Sequence, residues 1–271
     1  MSAILVTGAT GNVGRHVVSR LSEAGLKVRA LARDPERAGL PVETVRGDLT
    51  EPRSLEPALD DVDSVFLLWP GFTTGNAAEV VARIAGRARR VVYLSALGAD
   101  SSSHYGEIEQ LIRHSGVSWT FLRPGGFAVN TLMWADQIRQ GVVRWPYGKA
   151  SRALIHEKDI AAVAVHALTS AGHNGAAYPL TGPDELTQAD QVRVIGEVVG
   201  REVRWEEQPP QEARERLLAA WGEPAFVDSA LRTWESFVAS PERATDTVRR
   251  LLGRPALSFR QWAEDHAADF S

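Results

Sequence analysis

Ala3-Ile4-Leu5-Val6-Thr7-Gly8-Ala9-Thr10-Gly11-Asn12-Val13-Gly14 is a short apolar run that breaks into three glycines spaced three apart. An amphipathic segment follows, with Val13, Val17, Val18 and Leu21 on one helical face. The pattern predicts a buried strand, a tight turn and a helix start. The first amides of a helix have no internal partners and sit at the positive end of its dipole, which makes them a site for a phosphate. Gly8 permits the sharp turn, Gly11 lets backbone approach a diphosphate with no Cβ between, and Gly14 lets the helix pack closely on the strand. Thr10, Asn12 and Val13 complete the expected phosphate loop. The spacing, G-x-x-G-x-x-G, has one residue more in its first gap than the G-x-G-x-x-G dinucleotide fingerprint, so the strand-turn-helix context carries the reading.

The following segments repeat the alternation of strand and helix. Lys27 to Arg33 alternates as a second strand and ends at Asp34-Pro35, a turn signal. The tip of this strand carries an acid for the ribose hydroxyls in NAD sites, whereas a cation there suits the additional phosphate of NADP. Arg33 holds that tip, with Arg37 as a second contact, which favours NADPH; a plain surface arginine is the alternative, and Asp34 leaves NADH as the lesser candidate. Val42 to Arg46 reads as a third strand running into Gly47-Asp48-Leu49 and a helix from Pro52 to Leu59. Asp48 is placed to accept from an adenine amine and Leu49 to cover the ring, although Asp48 also fits a helix cap. The nearly continuous apolar run Val62 to Trp69 reads as a parallel strand covered on both faces, which puts Leu68 and Trp69 at the carboxyl edge where such sheets bind ligands. A helix from Asn76 to Arg87, a strand Arg90 to Ser95, a helix bearing Tyr105 and Glu109 on one face, and a strand Val117 to Leu122 followed by Arg123-Pro124-Gly125 complete six strand signals. Together they predict an α/β fold, a doubly wound parallel sheet.

Composition excludes several classes. Of 271 residues 44% are hydrophobic, enough for one large or two modest cores. The net charge of -4 and the absence of a basic run argue against nucleic-acid binding. No cysteine is present, which removes disulfides, thiolate catalysis, iron-sulfur clusters and cysteine-zinc sites. The seven histidines show no metal-ligand spacing, so no metal is expected. The first apolar run lacks a charged leader and is too short for a membrane span; a cytoplasmic protein with no membrane partner is expected.

Gly8-Ala9-Thr10-Gly11-Asn12-Val13-Gly14, Arg33, Gly47-Asp48-Leu49, Tyr105-x-x-x-Glu109 and Leu122-Arg123-Pro124-Gly125 together resemble the NmrA-like branch of the atypical short-chain dehydrogenases/reductases. Asp159-Ile160-Ala161 and Tyr178 to Pro183 extend the resemblance along essentially the whole chain. It implies NAD(P)H-dependent reductases of quinones, triphenylmethane dyes and polyketide ketones, and also redox sensors that bind the dinucleotide without turnover. Typical short-chain reductases use Ser, Tyr and a Lys four residues after the Tyr. Here Ser95 and Tyr105 suit the first two roles, but Glu109 stands in the third, and Ser95 and Glu109 are both expected to contact the cofactor. A carboxylate near a phenol raises its pKa, which keeps Tyr105 protonated and favours reduction. A pocket-wall role for Tyr105 is the alternative. Pro124 and Gly125 are expected to seat the nicotinamide.

From Phe127 the pattern changes to interrupted helices and short strands. The expected division is a dinucleotide-binding domain over 1-126, re-entered near 157-182, and a mostly helical, smaller substrate-capping part over 127-271. A helix from Asn130 to Gln140 and the run Val142 to Gly148 supply aromatics, so Trp69, Phe72, Phe127, Met133, Trp134, Trp145 and Tyr147 are candidates for the wall of a pocket for a flat apolar ligand, with ordinary core as the alternative. Thr187-Gln188-Ala189-Asp190 fits a capping box ahead of a helix stopped at Gly200. The remainder reads as helices over Pro210 to Trp221, Pro224 to Ala239 and Ser258 to Asp269, with Trp221, Phe226, Leu231, Trp234 and Phe237 as their buried faces. The expected activity is hydride transfer from NADPH to a carbonyl, quinone or related flat aromatic substrate, by a monomer or homodimer. A sensor that binds the dinucleotide and a protein partner is the rival.

Overall fold

The computed structural model describes residues 2-71, 73-101 and 103-271, so Phe72, one of the expected pocket residues, lies outside the described residues. Strands β1 (Ala3–Val6), β2 (Val28–Ala32), β3 (Glu43–Arg46), β4 (Val62–Leu68), β5 (Arg90–Leu94) and β6 (Ser118–Pro124) pair in parallel in the order β3-β2-β1-β4-β5-β6, and a seventh strand, Ala176–Leu180, adds to the free side of β6. The order reverses between β1 and β4, and the crevice outside the carboxyl ends of those two strands is where a ligand binds in such sheets. Leu5, Val65, Phe66 and Leu67 are at most 1% exposed, as expected of strands with helices on both faces.

Six strands are expected in the parallel sheet, and among the described residues seven pair in it. Ala176–Leu180 escapes notice because most of it is only half buried and it carries Pro179. At a sheet edge with β6 as its one strand neighbour, the missing N–H costs little.

The chain divides into two compact units. The first contains the chain up to Pro124 together with Glu157–Leu180 and Thr247–Arg254; the second contains Gly125–His156, Thr181–Asp246 and Pro255–Ser271. The return over Thr247–Arg254, which includes a helical turn from Thr247 to Leu252, is not part of the expected division. Within the first unit the helix Gly14–Glu23 (α1) buries Gly14, Val17, Val18 and Leu21 and packs against the alanine-rich helix Glu157–Thr169. Arg90 closes the far end of that second helix by donating to the carbonyls of Ala167, Leu168 and Ser170, groups a helix terminus otherwise leaves without partners.

The second unit has its own core, in which Trp262, Phe259 and Phe270 are at most 2% exposed. Thr187 and Asp190 form the reciprocal capping box ahead of the helix Gln188–Val198, and Gly200 adopts φ +66° just beyond it. Ser258 and Gln261 make a second box at Phe259–Asp265. The helix expected from Asn130 to Gln140 is a 3₁₀ segment Ala128–Trp134 followed by a short α-helix Ala135–Arg139.

Candidate active site

Three glycines that look equivalent in the sequence do different work. Gly8 has φ +60°, a conformation that disfavours any residue with a Cβ. Gly11 N–H closes the turn onto the Gly8 carbonyl at 2.9 Å. A Cβ at Gly14 would stand 2.1 Å from the Gly8 carbonyl oxygen, so the helix start packs against the turn itself more than against the strand. Thr7 ties the ends of β1 and β4 together, its hydroxyl receiving the Leu68 N–H at 2.8 Å and donating to the Leu68 carbonyl at 3.2 Å.

Arg15 lies outside the expected set. Its guanidinium donates to the Gly11 carbonyl and to Asn12 Oδ1, each at 3.2 Å, and so braces the turn from its outer side. A cation in the first turn of a helix opposes the dipole. That mismatch was the available signal that Arg15 has local work to do.

A cavity of about 660 Å³ opens at the crevice within the first unit. Its walls bring together Gly8, Thr10, Arg33, Asp48, Leu49, Leu68 and Trp69 from four separate strand ends. Gly11, Asn12, Val13 and Gly14 form the turn and helix start that continue from Gly8 and Thr10, with Val13 and Gly14 buried. Arg37 does not join the cavity walls. Pro35 starts a helical turn over Pro35–Ala38 that turns the Arg37 side chain outward, where it is 89% exposed and pairs with Asp34 at 3.4 Å.

Asp48 is held in a turn of its own. Its Oδ1 accepts from the Thr50 amide and the Thr50 hydroxyl, both at 2.8 Å. The Thr50 amide above all, helped by the Thr50 hydroxyl and the Arg33 charge, holds the carboxyl below its usual value despite an opposing push from burial, so it is an ionised acceptor. It caps Thr50 and not a helix; the following 3₁₀ turn has Glu51 at its N-cap. The fully packed Leu49 forms floor, and the Trp69 indole donates to the Thr73 carbonyl at 2.8 Å, which fixes the ring in this cavity.

The residues around Tyr105 are arranged differently from expectation. Ser103 caps the helix His104–His114 by accepting from Gly106 N–H, and Tyr105 lies against the His104 ring, with ring centres 3.9 Å apart. Burial raises the Tyr105 pKa; the charge of Glu109 is not the cause. Glu109 is 1% exposed and belongs to an ion-pair network with Arg113 and Arg123, while the Ser95 hydroxyl, also buried, donates to it at 2.6 Å. Glu109 therefore offers no face to a cofactor, and the proton of Ser95 is committed to Glu109. Pro124 ends β6, with its carbonyl accepting from Leu97 N–H at 2.8 Å. Gly125 begins the second unit, and a Cβ there would stand 2.7 Å from Glu242 Oε1.

Within the second unit a cavity of about 430 Å³ is lined by Phe127, Met133 and Trp134 together with Trp221, Phe226 and Trp234. Trp145 and Tyr147 are not among its walls. On the strand Val142–Trp145, alternation turns Trp145 inward, where it is 4% exposed and packs behind Trp134 and Trp234. Tyr147 adopts φ +61° and is held by its amide on Glu207. The expected buried faces of the two long helices are also corrected: Leu231 is buried, whereas Phe226 is 44% exposed and Trp221, Trp234 and Phe237 are half buried. Among the described residues no group of three His, Asp or Glu side chains is placed to hold a metal ion, and no helix is long and apolar enough to cross a membrane.

A glycine turn opening a helix at the switch point of a parallel sheet, with an ionised acid and an arginine in one cavity, defines a dinucleotide-binding Rossmann protein. The chain belongs to the NAD(P)H-binding family, whose profile matches residues 8-171, and it is an NAD(P)H-dependent oxidoreductase. It is 43% identical to the (4-alkanoyl-5-oxo-2,5-dihydrofuran-3-yl)methyl phosphate reductase of Streptomyces griseus subsp. griseus, over 99% of both chains. It is 37% identical to the NAD(P)H azoreductase of Xenophilus azovorans, over 98% of this chain and 99% of that one. Among solved structures, the Citrobacter sp. triphenylmethane reductase complexed with NADP(H) superposes with a TM-score of 0.83 at 21% identity, covering 98% of this chain and 99% of that one. The NADPH-dependent quinone oxidoreductase of Escherichia coli superposes with a TM-score of 0.81 at 23% identity, covering 97% and 98%. These two likenesses bear on the fold.

Proposed function

We propose that the chain is an NADPH-dependent reductase of flat, conjugated, electron-poor acceptors, such as quinones, azo compounds and unsaturated lactones bearing a second carbonyl. The observation that carries this reading is the weakness of the acid at the reaction centre. The Ser95 proton is directed to Glu109, and burial keeps Tyr105 a poorer acid than a free phenol. An isolated ketone needs a strong proton donor as charge develops on its oxygen. A conjugated acceptor spreads that charge itself and makes do with a hydrogen bond. The acceptors in the relatives' names fit this description: a quinone, an azo group, and a dihydrofuranone whose ring double bond carries both carbonyls on one of its carbons.

In this reading the helix-start amides from Asn12 to Gly14 hold the diphosphate, with Gly11 leaving room for its approach, Asp48 accepts from the adenine amine, Leu49 covers the ring and Arg33 pairs with the ribose phosphate that distinguishes NADPH from NADH. Bound NADPH supplies the hydride, with its electron pair, and becomes NADP⁺. The Pro124-Gly125 turn seats the nicotinamide and Tyr105 holds its proton at Oη; within the second unit, Phe127, Trp134 and Trp234 form an aromatic wall suited to a flat molecule. The protein's part is alignment and a dry apolar setting. The reading places the chain in the cytoplasm as a monomer or homodimer.

The test is NADPH oxidation against a panel of quinones, azo dyes, acyl-substituted unsaturated lactones and isolated saturated ketones. Turnover with the conjugated acceptors and not with the saturated ketones is expected. Saturated ketones reduced as fast as quinones would refute the acceptor class, and tight NADPH binding with no turnover on the whole panel would establish the sensor instead.

A further inference from the structure

We infer that Glu109 is a positioning residue for hydride transfer, holding Tyr105 and the end of β6 in one geometry; the inference rests on the reading above in that the nicotinamide is seated from Pro124. The carboxylate uses both oxygens fully. Oε1 accepts from the Ser95 hydroxyl at 2.6 Å and from Arg123 Nε at 2.8 Å, and Oε2 accepts from Arg113 Nη2 at 3.0 Å and from Arg123 Nη2. Three elements meet on this one group. Ser95 follows β5 and its amide donates to the Leu122 carbonyl; Arg123 is the residue before Pro124 on β6; Glu109 stands one helical turn after Tyr105, on the same face.

Cohesion alone does not explain the network. Ile108 and Ile112, both 0% exposed, already fasten the helix to the core. A buried ion pair adds little net stability over an apolar pair of the same shape, because desolvation offsets its attraction. What it adds is direction: a bidentate arginine fork fixes both distance and angle. Arg113 is itself held, its guanidinium lying 4.9 Å from the centre of the Phe121 ring and 5.1 Å from that of Trp119. Two arginines against one carboxylate also leave the network with an excess positive charge near the carboxyl end of β6, where a cation favours charge developing on an acceptor.

The experiment compares wild type, Glu109→Gln and Ser95→Ala by NADPH titration, read both as affinity and as the enhancement of nicotinamide fluorescence at saturation, and by steady-state kinetics with the best conjugated acceptor. Ser95→Ala leaves both ion pairs in place, and so provides the answer if Glu109→Gln does not fold. The expected result is NADPH affinity within about threefold of wild type, because the diphosphate and phosphate contacts lie elsewhere, with the fluorescence enhancement at least halved. The kcat should be at least about tenfold lower for Glu109→Gln, and lower by a smaller factor for Ser95→Ala, at little-changed KM. Wild-type enhancement and kcat in both variants would overturn the inference, as would a loss of kcat that merely tracks lost NADPH affinity. If wild type turns over no acceptor but the variants lose the enhancement, the reductase reading fails and what stands is that Glu109 positions the bound nicotinamide; if wild type binds no NADPH, both fail.

Discussion

Replacing Gly14 with alanine separates its role from those of Gly8 and Gly11. The new Cβ would stand 2.1 Å from the Gly8 oxygen, 2.7 Å from the Gly8 carbonyl carbon and 2.9 Å from Ala9 Cα. All three are backbone atoms that cannot swing aside, so turn and helix start must separate by roughly 1 Å before van der Waals distances return. Overpacking of this kind costs about 1–3 kcal/mol of stability. At about 2–4 °C per kcal/mol for a chain approaching this size, the melting temperature falls by several degrees. Displacing the turn also misaligns the amides aimed at the diphosphate. Losing two charge-assisted hydrogen bonds at about 1.5–3 kcal/mol each weakens NADPH by roughly a hundredfold to ten-thousandfold. Gly11→Ala is the contrast. Its Cβ meets the Gly8 oxygen at 3.2 Å, so it should leave stability nearly unchanged while obstructing the approach of the diphosphate. Titration calorimetry with NADPH and differential scanning calorimetry measure the two effects. Gly14→Ala binding NADPH within about threefold of wild type at an unchanged melting temperature would refute the reasoning.

Arg33→Ala should weaken NADPH by about tenfold or more and leave NADH almost untouched; equal loss for both coenzymes removes the phosphate assignment. Tyr105→Phe should lower kcat by about tenfold or more with NADPH affinity unchanged. Because burial raises the Tyr105 pKa above its ordinary 10.0, the phenol is protonated at every lower pH, and the reductive rate should show no alkaline limb from this group below pH 10. A limb below pH 10 that disappears in Tyr105→Phe would contradict this. His173, with its Nδ1 2.8 Å from the Tyr178 hydroxyl, is held below the usual 6.5 first by burial and then by the His166 and Arg90 charges. The unfolded chain therefore binds the additional proton first as the solution is acidified, so this contribution to stability is complete above pH 6.5 and is lost as pH falls below it. Urea denaturation across that range should show a shallower decline for His173→Gln, and an unaltered slope would refute the assignment.

Most of the first unit was legible because its signals are local. A glycine turn after a β-branched run and apolar strands of four to seven residues depend on neighbours within a few positions, as does the Thr187 box in the second unit, and the strand ends lie within about two residues of expectation. What escaped depends on distant partners. Ala176–Leu180 is a strand because β6 has a free edge beside it. Glu109 is four residues from Tyr105, which invites pairing the two, yet it bonds Arg113 on its own helix and, fourteen residues away on either side, Ser95 and Arg123. Arg37 reads as a second phosphate contact beside Arg33, but Pro35 starts the turn that sends its side chain outward. The aromatic supply after Phe127 was plain, but whether a ring faces a cavity or a core depends on strand parity and helix rotation. Those put Trp134 at the wall of one and Trp145 behind it.

The nucleotide-binding unit is written in three pieces of chain, the last of them ending at Arg254. A ribosome that has translated through Pro124 has produced the glycine turn and six strands but neither the helix that covers α1 nor the strand that borders β6. The Rossmann half therefore cannot mature ahead of the second unit during synthesis, as an N-terminal domain ordinarily does. Nascent chains stalled at residue 124 should engage chaperones and stay open to protease, and any gene fusion or split-protein scheme that cuts there separates a layer of the sheet from its own covering.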